Sequence, residues 1–171
     1  MAYQTRGRDP LFDRDMAQAI EKRGRELLGL GLIVIGCLIG ALIYSYHPDD
    51  PSFVSATDAP VQNWLGRTGA ALSAPIAMIV GWGGWGLALG AIAWGARFAL
   101  HKGAERAIGR LIWMPIWIAL ISVYAATLTP NAGWTHSFSM GGMFGDMVLG
   151  LMLTILPIPA GMGVKFAALL L

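Results

Sequence analysis

Three long stretches of this chain contain no charged residue. Residues 27–46, 68–96 and 111–145 include no Asp, Glu, Lys or Arg. A helix of about 20 apolar residues, rising about 1.5 Å per residue, crosses the roughly 30 Å hydrocarbon layer of a membrane. Charged residues make up only 13% of the 171 residues, about half the fraction that is usual in soluble domains. The sequence therefore predicts an integral membrane protein of the all-α class.

The apolar runs and the turn residues between them predict a polytopic membrane helix bundle of about four transmembrane helices. The polar residues 1–26 are predicted to form a cytoplasmic arm, for which an amphipathic helix and a solvated segment are both compatible readings. The remaining residues, 27–171, form the membrane domain. Its predicted elements are spans at about 27–46, 70–96 and 111–128, a short outer-side or re-entrant helix at about 142–156, and a last span from about 161.

The end of the sequence allows two interpretations. Pro157 and Pro159 interrupt the last apolar residues, so a short helix can precede a separate final span, or residues 147–171 can form one kinked span. In the first case we expect the final span to be truncated at Leu171, because the apolar run has not ended there.

The distribution of cations predicts the orientation of the spans. Six of the twelve Lys and Arg residues lie in residues 1–26 and four lie in residues 97–110. The segment 47–69 has one, Arg67, and the segment 129–146 has none. Since cationic loops stay in the cytoplasm, the N-terminus and the loop 97–110 are predicted to be cytoplasmic, and the other two loops external.

Motifs of catalysis and metal binding are lacking in the sequence. It contains no Gly-rich phosphate-binding loop and no Cys or His spacing typical of a metal site, so we predict no catalytic residue, no metal and no cofactor. The first three predicted spans carry no Asp, Glu, Lys or Arg, which argues against an ion pathway. The four cations of residues 97–110 could contact DNA phosphates or anionic lipid, but so few charges favour a role in topology.

One external segment has a specific resemblance. The segment Ser45-Tyr-His-Pro-Asp-Asp-Pro-Ser-Phe53 resembles the S-[YF]-x-P-x-D-P-S-[WF] segment of FtsK/SpoIIIE-type DNA translocases, and it lies where that family has it, just outside the first span. The segments Asn63-Trp-Leu-Gly66 and Gly141-Gly-Met-Phe-Gly145 resemble the family's sequences before the second and last spans. The resemblance covers about residues 22–171, and its P-x-D-P-S part is the specific one.

The resemblance implies a function that composition alone does not. Members of the family have four spans, a long linker and a RecA-like motor, which assembles as a hexameric ring and pumps double-stranded DNA with ATP. The resemblance therefore implies the inner-membrane anchor of a septal DNA translocase in bacterial cell division and chromosome segregation, serving localisation and oligomerisation. The implied partners are membrane lipid, further copies of the chain and other division proteins, whereas DNA and ATP would bind only the motor, outside these residues.

Two groups of residues are candidates for these roles, and the chain itself is predicted not to be an enzyme. The alternative is a small standalone membrane protein, such as a transporter or pore subunit. The candidates for the motif and for partner contact are Tyr46, Pro48, Asp50, Pro51, Ser52, Phe53, Asn63, Trp64 and Gly66. The candidates for helix packing are Gly36, Gly40, Gly86, Gly90, Gly141, Gly142 and Gly145.

Overall fold

The regular structure of the chain is helical. A computed structural model describes residues 14–101, 112–130, 134 and 136–155, and this part of the chain contains no β-strand, which confirms the predicted all-α class. The elements are α1 (Arg14–Tyr44), α2 (Gly66–Val80), a 3₁₀ helix (Gly81–Gly84), α3 (Trp85–Ala99), α4 (Trp113–Ala126) and α5 (Gly142–Ile155).

Two helical units are long and apolar enough to cross a membrane. They are Asp15–Tyr44, with 30 residues, and the nearly continuous unit Gly66–Ala99, with 34 residues. The second unit would measure about 50 Å if it were straight, so it must tilt or protrude from the hydrocarbon layer. Helices α4 and α5 are apolar but shorter, with 14 residues each. The last predicted span, from about residue 161, lies outside the described residues.

Helix α1 differs in both its limits from the predicted first span at 27–46. It begins at Arg14, inside the predicted arm, and continues without a break into the apolar run. An ion pair between Arg23 and Glu26, at 2.7 Å, joins neighbouring turns of its polar part. The helix ends at Tyr44, shortly before Pro48, which cannot continue it. The residues of the arm before 14 lie outside the described part of the chain.

The predicted second span, 70–96, is not a regular helix throughout. At Gly81 the backbone φ is 54°, a left-handed conformation that favours glycine, and the next residues form the 3₁₀ helix. The Trp82 backbone N–H donates to the Met140 carbonyl at 2.8 Å. A Cβ atom at Gly81 would lie 2.7 Å from the backbone nitrogen of Gly142. The break therefore occurs where the turn before α5 packs against the glycine-rich centre of the unit.

Helices α1 and α3 form the most extensive helix pair in the described part of the chain. They run antiparallel, with Gly29 beside Ala99 and Gly36 beside Ala88. A Cβ atom at Gly36 would lie 2.7 Å from Ile92 Cγ1 and 2.8 Å from the Ala88 carbonyl oxygen. A Cβ atom at Gly95 would lie 2.5 Å from the Gly29 carbonyl oxygen. Only glycine allows the two backbones to approach this closely.

The first prediction compares two glycines of α1. Gly36→Leu should destabilise the fold by about 1–3 kcal/mol, because the new side chain meets the backbone of α3 and forces the helices apart. Gly31→Leu is the matched control, since a Cβ atom there meets nothing within 4 Å. Thermal unfolding of the detergent-solubilised chain, followed by circular dichroism, measures the difference. Equal stability of the two variants would contradict the close α1–α3 contact.

Candidate functional site in the loop cluster

The two loops with the family-like segments contact each other. We define the loop cluster as residues 45–65 together with Trp134 and residues 136–141. The Tyr46 ring stacks on the His136 ring, with centroids 5.5 Å apart and an interplanar angle of 19°. The contact brings together two segments that are about 90 residues apart in the chain, so the loop cluster is a single surface built from separate parts of the sequence.

A buried carboxylate closes the first loop. Asp50 is only 2% exposed. Its Oδ1 accepts a hydrogen bond from the Gln62 backbone N–H at 2.7 Å, and its Oδ2 accepts one from the Asn63 N–H at 2.9 Å. Hydrogen bonds to a charged acceptor are the strong ones. Asp50 therefore holds the two ends of the loop together, and its carboxylate faces inward rather than toward a partner.

Asn63 connects this closed loop to both neighbouring helices. Its side chain is buried, and Nδ2 donates to the carbonyl oxygens of Leu42, at 2.9 Å, and Ser45, at 3.3 Å. Leu42 lies in the last turn of α1, where carbonyl groups lack a partner within the helix. The Asn63 Oδ1 accepts the Leu65 N–H at 3.1 Å, just before α2 begins at Gly66. The Asn63 side-chain amide thus forms hydrogen bonds both with the last turn of α1 and with the residue that precedes α2.

Other residues of the family-like segments present their side chains outward. Ser52 Oγ accepts the backbone N–H groups of Val54, at 3.2 Å, and Ser55, at 3.1 Å, which fixes a turn around Phe53. Phe53 is 85% exposed and Trp64 is 70% exposed. Pro48 and Pro51 are partly buried beside the closed loop. The most exposed apolar side chains are therefore those of Phe53 and Trp64, with Val54 beside Phe53 at 54%.

An aromatic group joins the second loop to the first. Trp134 packs edge-on to His136 at 4.8 Å between ring centroids, and the Phe138 ring stacks on the imidazole at 4.7 Å. The Trp134 Nε1–H donates to the Phe138 carbonyl at 2.7 Å. Burial among these rings lowers the pKa of His136 below its ordinary value.

The glycines at the start of α5 pack against α4 and against the end of α2 and the 3₁₀ helix. Gly142 has φ 68°, and a Cβ atom there would lie 2.7 Å from the Ile79 carbonyl oxygen. A Cβ atom at Gly145 would lie 2.5 Å from the Ser122 carbonyl oxygen. Ser122 is fully buried, and its hydroxyl donates to the Gly141 carbonyl. These contacts hold the second loop against the helices.

Two other predicted packing glycines contact α4, and the last lies against α3. A Cβ atom at Gly86 would lie 2.9 Å from Ile118 Cγ1, and one at Gly90 would lie 2.9 Å from Met114 Cε, the end of a flexible side chain. A Cβ atom at Gly40 would make only ordinary contact, 3.7 Å from the Trp85 ring.

Sequence reasoning missed two close-packing glycines of the α1–α3 pair. Gly29 and Gly95 make closer backbone contacts than Gly40 or Gly90, yet nothing in their local sequence separates them from the other glycines. Asp146 is a further residue of this site, because its Oδ2 accepts the Ser139 backbone N–H at 3.0 Å and so fixes the turn before α5. In the described part of the chain no three His, Cys, Asp or Glu residues gather as metal ligands.

Comparison with known families covers almost the whole chain. Residues 21–171 match the family described as the 4TM region of DNA translocase FtsK/SpoIIIE. The chain belongs to this family. The family that residues 45–53 predict is therefore confirmed, and so is the assignment to its four-span membrane region. Membership of this region implies a location in the bacterial inner membrane.

Several similar proteins carry the name DNA translocase FtsK. The relative from Azospirillum brasilense is 29% identical over 82% of this chain, and that from Bradyrhizobium diazoefficiens is 34% identical over 77%. The relative from Caulobacter vibrioides is 32% identical over 72% of this chain. The match covers only 22%, 16% and 16% of the three relatives, so these 171 residues are the membrane region and do not include the motor. No solved structure matches the chain.

The second prediction tests the buried carboxylate. Asp50→Ala should destabilise the loop by about 1–3 kcal/mol, because it leaves two backbone N–H groups without their acceptor. Amide hydrogen exchange at Gln62 and Asn63 should then become about tenfold faster or more. Asp49→Ala is the control, since the Asp49 side chain is 77% exposed. Unchanged exchange in the Asp50 variant would show that the loop does not depend on this carboxylate.

The third prediction concerns pH. Because the folded pKa of His136 is lowered, the unfolded loop binds a proton at higher pH than the folded loop does. The neutral His136 ring stabilises the folded loop fully above the ordinary pKa of histidine, about 6.5. This stabilisation is lost as the pH falls from that value through the lowered pKa of the folded state. The near-ultraviolet circular dichroism of the aromatic group should decrease between about pH 8 and about pH 5.

His136→Phe is the control for this titration. A phenyl ring keeps the stacking on Tyr46 and Phe138 but binds no proton. Its spectrum should stay constant over the same pH range. An equal decrease in both proteins would assign the change to another group.

Proposed function

We propose that this chain is the membrane anchor of a septal DNA translocase, which positions and helps to assemble a cytoplasmic motor in bacterial cell division and chromosome segregation. The observation that carries the proposal is an exposed apolar surface on a fixed loop. Phe53 and Trp64 face outward, while Asp50 and Asn63 hold the backbone beneath them. A fixed surface of this kind loses little conformational entropy when a partner binds.

The proposed topology places the loop cluster outside the cytoplasm. Residues 14–26, with their cations, and the loop after α3 would lie in the cytoplasm, as the distribution of Lys and Arg predicts. The contact between Tyr46 and His136 supports this arrangement, because it requires the two loops to lie on the same side of the membrane. The loop cluster could then bind division proteins with external domains.

The proposed assembly of several copies comes from the resemblance, since the motors of this family form hexameric rings. Because each anchor would be joined to one motor subunit, a hexameric motor would bring the same number of anchors together. The alternative of a transporter or pore subunit receives no support from the predicted spans. None of the first three contains an Asp, Glu, Lys or Arg that could form an ion pathway.

The fourth prediction separates partner contact from folding. In Caulobacter vibrioides, the chain replaces the corresponding region of the relative and carries a fluorescent label. Phe53→Ala should reduce enrichment at the septum at least about twofold, because it removes the exposed ring that the partner would contact. Insertion should stay unchanged, because substitution of an exposed side chain usually changes stability by no more than about 0.5 kcal/mol. Fluorescence microscopy measures enrichment, and alkaline carbonate extraction measures insertion. Asp58→Ala, another exposed loop residue, is the control.

A double variant completes this test. Replacing Asp50 and Pro51 together should open the loop, so that Phe53 and Trp64 lose their fixed positions. Recruitment of the chain to the septum should then be impaired more than its insertion into the membrane. If the double variant fails to insert, the loop has a structural role only. If Phe53→Ala reaches the septum as well as the unchanged chain does, the exposed surface is not the partner contact.

A further inference from the structure

We propose that the groove between α3 and α4 binds an anionic membrane phospholipid, with an acyl chain between the helices and the headgroup phosphate beside Arg97. The choice of the cytoplasmic leaflet rests on the proposed topology, whereas the binding itself does not. The inference assigns a ligand to a groove that the proposed anchoring function leaves unused.

The groove is apolar and large enough for part of a lipid. It has a volume of about 550 Å³, within the range of about 300–1,000 Å³ typical of small-molecule sites. On α3 its floor is formed by Gly86, Gly90 and Ala93, whose small side chains let the helix surface recede. On α4 the wall is formed by Trp113 and Trp117, which lie one turn apart.

The tryptophans place one end of the groove near the membrane–water boundary. Trp113 is 58% exposed and Trp117 is 53% exposed, and both lie at the start of α4, next to the basic loop. Tryptophan is enriched at the level of the lipid headgroups, because its ring is apolar and its N–H is polar. An acyl chain that enters between the helices would therefore begin at headgroup level.

A cation continues the same face of α3 beyond the apolar groove. Positions 86, 90, 93 and 97 are separated by four, three and four residues, so Arg97 lies one turn past Ala93 on the groove side of the helix. Arg97 is also in the last turn of α3. A positive guanidinium at the mouth of an apolar groove is complementary to a phospholipid, in which a negative phosphate is attached to hydrocarbon chains.

The sequence that joins α3 to α4 is basic as well, with Lys102, Arg106 and Arg110 against the single acid Glu105. On the proposed topology this segment is cytoplasmic, and basic pockets between membrane helices on that side favour anionic headgroups. Arg97 itself favours an anionic phospholipid over a second copy of the chain, because the groove mouth of that copy would carry the same arginine.

The experiment measures lipid selectivity of the whole chain, residues 1–171. The protein is reconstituted in phosphatidylcholine vesicles that contain a trace of spin-labelled phosphatidylglycerol or spin-labelled phosphatidylcholine. Electron spin resonance then gives the fraction of each lipid that the protein immobilises. The unchanged chain should immobilise phosphatidylglycerol preferentially, and this preference should decrease with added salt.

Two variants test the two parts of the site. Arg97→Gln should lower the relative association constant of phosphatidylglycerol about fivefold, which corresponds to about 1 kcal/mol per cation near the surface. Arg67→Gln removes the same charge from the other predicted side of the membrane and should leave the preference unchanged. Ala93→Phe fills the groove and should remove the preferential binding, whereas Leu72→Phe, on the exposed face of α2, should not.

Three results would overturn the proposal. Equal losses in the Arg97 and Arg67 variants would show that only the total charge matters. A preference that survives in Ala93→Phe would place the lipid on the basic loop without the groove. If Trp113→Ala lowers the size of the detergent-solubilised chain, a second copy occupies the groove instead. These measurements need no septum and no partner, so they fail independently of the proposed anchoring function.

Discussion

The loop cluster depends on the hydrogen bonds of Asp50 and Asn63. Helix α1 ends with carbonyl groups that have no partner within the helix, and near a membrane few waters are available to satisfy them. The Asn63 amide bonds to the Leu42 carbonyl, and the Asp50 carboxylate holds Asn63 in place through its backbone. Removal of either side chain would leave a polar group buried without its partner, and this is why two residues fix a loop of about 20 residues.

Glycine plays the corresponding part between the helices. Lipid solvates apolar side chains as well as a neighbouring helix does, so membrane helices associate through close packing rather than through the hydrophobic effect. The contacts at Gly29, Gly36 and Gly95 bring the backbones of α1 and α3 together. At Gly86 and Gly90 only side-chain atoms of α4, those of Ile118 and Met114, come close, and a groove remains beside them. The effect of a glycine depends on whether the facing helix carries small or large side chains.

The sequence was sufficient to predict the fold class and the family, because each depends on local features. Uninterrupted apolar runs predict helices in a membrane, and the family resemblance is read from residues 45–53, which lie within the matched range 21–171. The break at Gly81 was not predictable, since it depends on Met140, which is far away in the chain. Asp49 and Asp50 are chemically identical neighbours, and only the path of the loop decides that Asp50 is buried. The helix of the first span continues into the polar residues 14–26, where the sequence left a helix and a solvated segment both open.

The division between buried and exposed residues changes how the family-like segment should be interpreted. A pattern such as P-x-D-P-S suggests that its charged residue contacts a partner, but here the carboxylate bonds only to the chain's own backbone. A partner would contact the side chains that this backbone carries, above all Phe53, whose exposure is a consequence of the turn that Ser52 fixes. The polar residues of the segment therefore determine its shape, and on the proposed function the exposed apolar side chains would contact the partner. A relative could accordingly change its partner by replacing Phe53 or Trp64 while keeping Asp50 and Asn63.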